Sequence, residues 1–139
     1  MTCIFCKIIQ GELPSYQVYS DEICIAFLDI HPINPGHILV VPKKHSERFY
    51  EVDHSEAAHL MGVAQKIYLA LKKTSIRCEG ANFFLSDGAV AGQEVGHAHL
   101  HIAPRFLGDG QQLGFHRTDV AAATRQALEQ VLNQLKTLL

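Results

Sequence analysis

The sequence has no tryptophan, only two methionines and no excess of one charge. Twelve Lys and Arg against fourteen Asp and Glu leave a formal charge of −2, far from the basic footprint of a nucleic-acid binder. No apolar run approaches the roughly 20 residues that a membrane helix requires. The start, Met1-Thr2-Cys3-Ile4-Phe5-Cys6-Lys7, has no charged region followed by a long apolar stretch, so it is not read as a secretory signal. Internal repeats, low-complexity tracts and linker-like stretches are missing as well, and one domain is expected over residues 1–139. That length is too short for a metal-hydrolase barrel, which needs roughly 250 residues.

Cysteine is scarce: Cys3, Cys6, Cys24 and Cys78. A C-x-x-C pair with two isolated cysteines suits a metal or redox pair in a reducing compartment better than a disulfide framework. The expectation is therefore a soluble cytoplasmic protein whose partners are neither nucleic acid nor membrane. With 47% hydrophobic and 19% charged residues, the chain should fold rather than stay disordered. What stands out is histidine, present nine times.

Short β-rich runs fall at 17–20 and 23–29, followed by the turn tract His31-Pro32-Ile33-Asn34-Pro35-Gly36. The β-branched run 37–42 reads as a strand ending at Pro42. Asp53 and Glu56 have the spacing of a capping box, with Asp53 as N-cap. Behind them Leu60, Ala64, Ile67 and Leu71 make an apolar helical stripe to about residue 73. Strands are expected at 81–86 and 96–105 and a loop at 106–117. A last helix, opened by Thr118 or Asp119, places Leu128, Val131, Leu132, Leu135 and Leu138 on one face. Grouped strands with one helix between them and one at the end favour an α+β fold with about five strands in a mainly antiparallel sheet.

The segment His97-Ala98-His99-Leu100-His101-Ile102 alternates strictly. On a strand its three histidines share one face, with neighbours about 6.5–7 Å apart, while Ala98, Leu100 and Ile102 take the packed face. Apolar packing gains nothing from three imidazoles, and burying them unpaired is costly. Three roles remain open for the cluster: a purely structural one, metal ligation by all three, or acid/base and nucleophilic chemistry, which the pattern favours. Upstream, Gly88, Ala89, Ala91 and Gly92 would let backbone N–H groups approach an anion, with Gln93 as a side-chain donor. For Cys3 and Cys6, the residues leave structural zinc, free packed thiols and redox chemistry open.

From Gly92-Gln93 through His97-Ala98-His99-Leu100-His101-Ile102, the chain resembles the signature of the histidine triad (HIT) family. The resemblance extends to the segments Cys3–Ile9, Ala26–Ile30 and Pro35–His45, so the family-like core runs over about 3–105, with 106–139 as an uncovered loop and helix. It implies a nucleotide hydrolase or transferase of α+β fold. Such an enzyme would release a nucleoside 5′-monophosphate, a purine one by family preference, from an amine or a phosphorylated leaving group. His99 corresponds to the nucleophile, oriented by the backbone carbonyl of His97. His101 and His37 would flank the phosphate among protonated groups that stabilise its charge. Gln93 and Ser86 would contact the nucleotide, and Asp29 the ribose. The zinc-carrying branch implies a structural Zn²⁺ on Cys3, Cys6, His45 and His97, with no metal needed for the chemistry. A homodimer pairing the middle helix and the strand at 81–86 is also implied. Where the family commonly has Asn, Ser or Thr, and a bulky residue, this chain has Ser86, Glu94 and Gly96. Glu94 would favour an amine leaving group over a polyphosphate if it faces that side. Two further readings remain: a nucleotide-binding module with little turnover, and a dinucleoside polyphosphate hydrolase.

Overall fold

The computed structural model describes residues 2–112 and 122–139. Five strands, β1 (Gln17–Ser20), β2 (Cys24–Leu28), β3 (Ile38–Pro42), β4 (Gly80–Phe84) and β5 (Leu100–Arg105), form one antiparallel sheet in the order β1-β2-β3-β5-β4. Among the described residues three α-helices accompany it: α1 (Ile4–Ile9), α2 (His54–Leu71) and α3 (Arg125–Leu135).

The central strands are apolar on both faces because both are covered. Cys24 and Ala26 of β2, Ile38 and Val40 of β3, and Leu100 and Ile102 of β5 pack with Leu60, Val63, Ala64, Ile67 and Leu71 of α2. The alternate residues Ile25, Phe27, Leu39 and Val41 pack with Phe5 of α1 on the opposite face. Period two therefore sorts each strand between two cores, and the histidines belong to the α1 side.

Helix α2 keeps the expected stripe and starts after Asp53, but the Asp53 side chain makes no capping bond. It pairs with Lys44 instead, at 3.1 Å. A side-chain cap is worth about 1 kcal/mol and a fully buried Leu or Ile about 1.5–3 kcal/mol, so packing is enough to place this helix. Helix α1, for which no element was expected, has only six residues, too few for a legible period. Helix α3 begins at Arg125 behind Thr124, whose hydroxyl accepts from the Ala127 N–H. Thr118 and Asp119 lie outside the described residues, as does the end of the expected 106–117 loop. The leucine-rich face of α3 is present, but Leu128, Val131, Leu132 and Leu135 are all exposed, and Leu138 lies beyond its end.

The triad strand is shorter than expected. Its ladder with β3 starts at Leu100, opposite Val40. Residues 97–99 run ahead of it without ladder partners, because the chain turns away after Pro42. Here Ala98 N–H donates to Ser46 O at 2.8 Å. The tight turn before β3 depends on Gly36, at φ +91°, where an added Cβ would meet Ile76 at 3.1 Å and Pro104 at 3.3 Å.

Two carboxylates brace the sheet. Asp21 accepts from the Ile23 and Cys24 N–H groups, from Tyr19 and from His59. Asp109 accepts from Arg105, Asn34 and the Phe106 and Gln111 N–H groups. These bonds hold both carboxyls well below the usual range; for Asp21 they outweigh burial, which pushes the other way. A group with a depressed folded pKa stabilises fully above its unfolded value, about 3.9 for Asp, and loses that contribution as pH falls towards the folded value. The denaturation midpoint should therefore fall steeply below about pH 4, and less steeply in Asp21→Asn and Asp109→Asn. An unchanged slope in both variants would contradict this assignment.

Candidate active site and metal centre

His99, His101 and Asp29 line a cleft of about 340 Å³ on the α1 face of the sheet, together with Phe5, Phe27, Leu39 and Glu94. Strand β3 places His37 beside them. The hydrogen bonds determine which nitrogen of each ring carries the proton. The Ile33 N–H can only donate, so His37 Nδ1, 3.0 Å away, accepts. His37 Nε2 then carries the proton and donates to His101 Nδ1 at 3.0 Å. This leaves His101 with its proton on Nε2. His99 Nδ1–H donates to the His97 carbonyl at 2.7 Å, so His99 Nε2 keeps its lone pair. Asp29 lies 3.6 Å from His37 and accepts from the His31 N–H at 2.8 Å.

The pocket is drier than an exposed strand face. His37, His97 and His99 are only 2%, 0% and 6% exposed. Burial pushes the pKa of each down; Asp29 opposes this at His37 and His99, and the His97 carbonyl also does at His99. His101 is pushed down to about 3, by burial first and then by His99 and His37. In the free site burial therefore favours neutral imidazoles, whose N–H groups donate.

Two aromatic rings missing from the sequence reading set the histidine geometry. Phe84 of β4, opposite His101 in register, stacks on that ring at 4.2 Å and 6°. Phe5 of α1 meets His99 edge-on at 5.1 Å. The His99 and His101 rings lean to 4.8 Å from each other, closer than the strand repeat. His97 turns elsewhere, its Nε2 facing Pro42 O at 2.7 Å. The three triad rings therefore do not converge as metal ligands.

Instead, His97 Nδ1 joins a second cluster. Helix α1 begins between Cys3 and Cys6, and the i, i+3 spacing puts both thiols on one side. The donor atoms of Cys3, Cys6, His45 and His97 all lie within 4.8 Å of one another. Cys3 Sγ is 3.4 Å and Cys6 Sγ 3.7 Å from His97 Nδ1; Cys6 Sγ is 3.3 Å from His45 Nδ1, and the two ring nitrogens are 3.2 Å apart. Around tetrahedral zinc, bonds of about 2.3 Å to sulfur and about 2.05 Å to nitrogen give S···N edges near ~3.6 Å and N···N edges near ~3.3 Å. The cluster already has roughly those edges. Pro42 O supplies the outer-shell acceptor that fixes a ligating histidine.

Ser86 and Gln93 are placed differently from expectation. Gln93 spends its amide on the carbonyls of Glu47 and Val95, at 2.8 and 2.9 Å, while its oxygen accepts from Gly88 N–H at 2.7 Å. It braces the 88–95 loop rather than offering a free donor. Ser86 lies beyond the end of β4, beside Gly92, and neither residue lines the cleft.

Comparison with known proteins places the chain in a family. The family model described as the HIT domain matches residues 10–108. The chain is 35% identical to a crystal structure of a HIT family member from Bacillus subtilis, with a TM-score of 0.89 over 100% of this chain and 98% of that one. It is 34% identical to a zinc-bound histidine triad family protein from Mycobacterium smegmatis, with a TM-score of 0.77 over 100% and 99%. The adenosine 5′-monophosphoramidase hnt1 of Schizosaccharomyces pombe is 35% identical over 105 residues, 76% of this chain and 75% of that one. The chain belongs to the HIT domain family, with its five-stranded α+β fold.

Proposed function

We propose that this protein is a nucleotidyl hydrolase that releases a nucleoside 5′-monophosphate through a covalent intermediate on His99. The observation that carries this reading is the His99 Nδ1 bond to the His97 carbonyl. It leaves the Nε2 lone pair free on a ring that lines the cleft. Nε2 attacks the α-phosphorus, the bond to the leaving group breaks as the departing amine takes up a proton from solvent, and water then opens the nucleotidyl-imidazole, giving the 5′-monophosphate and regenerating the ring. His101 Nε2–H, held by His37, supplies a fixed donor to the phosphate oxygens. Asp29 takes the ribose hydroxyls, and the apolar slot of Ile4, Phe5, Ile8, Phe27 and Leu39 takes the base, a purine by family preference.

An amine is the leaving group that the site favours. Glu94 lines the cleft with His99, and a carboxylate there repels a second phosphate more than a neutral or cationic amine. The fission yeast relative, an adenosine 5′-monophosphoramidase by name, supports the same choice. Nucleoside phosphoramidate should be turned over faster than an acyl adenylate or a dinucleoside polyphosphate. Release of no 5′-monophosphate from any of the three would make the protein a binding module instead.

The Cys3, Cys6, His45 and His97 cluster would hold a structural zinc ion, with all four positions filled by protein and none open for substrate. The zinc-bound mycobacterial relative supports this reading. The same zinc would hold His97, whose carbonyl orients the nucleophile, so the metal serves the chemistry only by positioning. The four free thiols suit a reducing cytoplasm. No helix among the described residues is long and apolar enough to cross a membrane.

Edge strand β4 and helix α2 would form a homodimer face. Met61, Leu69 and Phe83 are exposed there, at 53%, 58% and 38%, and pairing two β4 edges would remove open hydrogen-bonding groups. Sedimentation should give a dimer at micromolar concentration, and a monomer would count against the pairing.

A further inference from the structure

The turn before β3 does more than connect strands. Its Ile33 N–H points at His37 Nδ1, 3.0 Å away, and so decides which nitrogen of His37 carries the proton. No residue of the turn tract His31-Pro32-Ile33-Asn34-Pro35-Gly36 is in a helix or a ladder, so side-chain bonds hold its shape. Asp29 holds its start through the His31 N–H, and Asn34 ties its middle to the segment after β5. The residue is buried, only 6% exposed, and its side-chain amide donates to Pro104 O and to Asp109 Oδ2, both at 2.9 Å. Its backbone carbonyl accepts from the His37 N–H at 3.1 Å.

Asp109 is itself anchored. Its side chain is 5% exposed and is gripped by Arg105 at 2.7 Å. Arg105 also reaches Asn82 Oδ1 of β4 and the Gln111 carbonyl, both at 2.8 Å. The segment just after β5 is thereby locked to β4 and to the turn before β3, the two places that flank His37 and His101. Asn34 is the turn's side-chain link to this locked segment, so displacing it frees the Ile33 N–H to move.

We infer that Asn34, clamped by Pro104 and Asp109, is a positioning residue that holds the Ile33 N–H on His37 Nδ1 and so keeps His37 donating to His101. The inference rests on the proposed reading of His101 as the donor to the phosphate. With the Ile33 N–H withdrawn, His37 would populate both tautomers. In the wrong one, His37 Nε2 and His101 Nδ1 would both present lone pairs, and His101 would have to turn or change its own tautomer. Its Nε2–H would then no longer be fixed towards the substrate.

The test combines ¹⁵N spectra of the imidazoles with turnover of adenosine 5′-phosphoramidate by the full chain. Wild-type His37 should appear as one tautomer, protonated at Nε2. In Asn34→Ala both tautomers should appear. Per folded molecule, kcat should fall about 10- to 100-fold, the scale of misplacing a group from outside the reacting centre, with KM within about two-fold because the cleft lining is untouched. Asp109→Asn keeps an acceptor oxygen in place and is the gentler variant should Asn34→Ala fold poorly. It should move both readouts the same way by less. A single unchanged His37 tautomer and an unchanged kcat per folded molecule in either variant that folds would overturn the inference and make Asn34 a packing residue. If the wild type hydrolyses no phosphoramidate, the functional reading fails. The tautomer spectra alone then decide the positioning role: mixed tautomers in the variant sustain it, and an unchanged spectrum overturns it.

Discussion

Replacing His99 by Asn should abolish turnover while leaving the fold and nucleotide binding largely intact. An Asn amide can still donate to the His97 carbonyl, the bond that His99 Nδ1 makes at 2.7 Å, and the site's apolar frame of Phe5, Phe27 and Leu39 remains. What disappears is the Nε2 lone pair. Asn cannot form a nucleotidyl intermediate. The fall in kcat should be roughly 10⁴- to 10⁶-fold, the scale seen when a covalent nucleophile has no substitute. Asp29 still lines the cleft, so affinity for a nucleoside monophosphate should change little. His101→Asn should be milder, on the order of 10²- to 10³-fold, because it removes one charge-stabilising donor and leaves the nucleophile in place. The order of the two losses distinguishes the roles. Equal losses would mean that neither histidine acts alone as nucleophile.

The second large effect concerns the metal. Protein purified without chelator should contain about one Zn²⁺ per chain, as a single tetrahedral site requires. Cys6→Ser, or removal of the ion, would take away the ligand bonds that tie Cys3 and Cys6 to His45 and His97. Those residues come from three distant parts of the chain, so the loss should amount to several kcal/mol. At about 2–4 °C per kcal/mol for a domain not far above this size, the thermal midpoint should fall by roughly 10 °C or more. Turnover per folded molecule should survive in part, since the ion has no open position for substrate, but it should weaken because His97 carries the carbonyl that orients His99. A metal-free protein with an unchanged midpoint would remove the zinc reading and leave the nucleophile assignment standing.

Much of this was legible before any coordinates. Strict alternation over residues 97–102 put the histidines on the opposite side from Leu100 and Ile102, and the structure buries those two against α2. The apolar spacing of Leu60, Ala64, Ile67 and Leu71 likewise foretold the buried face of α2. Long-range register was less accessible. Phe84 reaches His101 only because β4 pairs antiparallel with β5, and the sequence offers no local sign of that stacking. Helix α1 is a single short element whose thiols matter more than its period. The bonds of Gln93 were not legible for a chemical reason: its amide suits a phosphate, but it suits the carbonyls of Glu47 and Val95 equally well, and only the fold shows those two partners. The tautomers of His37, His101 and His99 depend on a backbone N–H from Ile33 and a carbonyl from His97, groups that every residue carries and no motif marks.

Trapping the intermediate tests the central claim most directly. Wild-type protein, given a phosphoramidate labelled in its phosphate and quenched during turnover, should carry label that is acid-labile and base-stable, mapping to His99. The Asn variant should carry none. Label on another histidine, or steady turnover with no covalent label at any quench time, would contradict the assignment of His99 as the nucleophile.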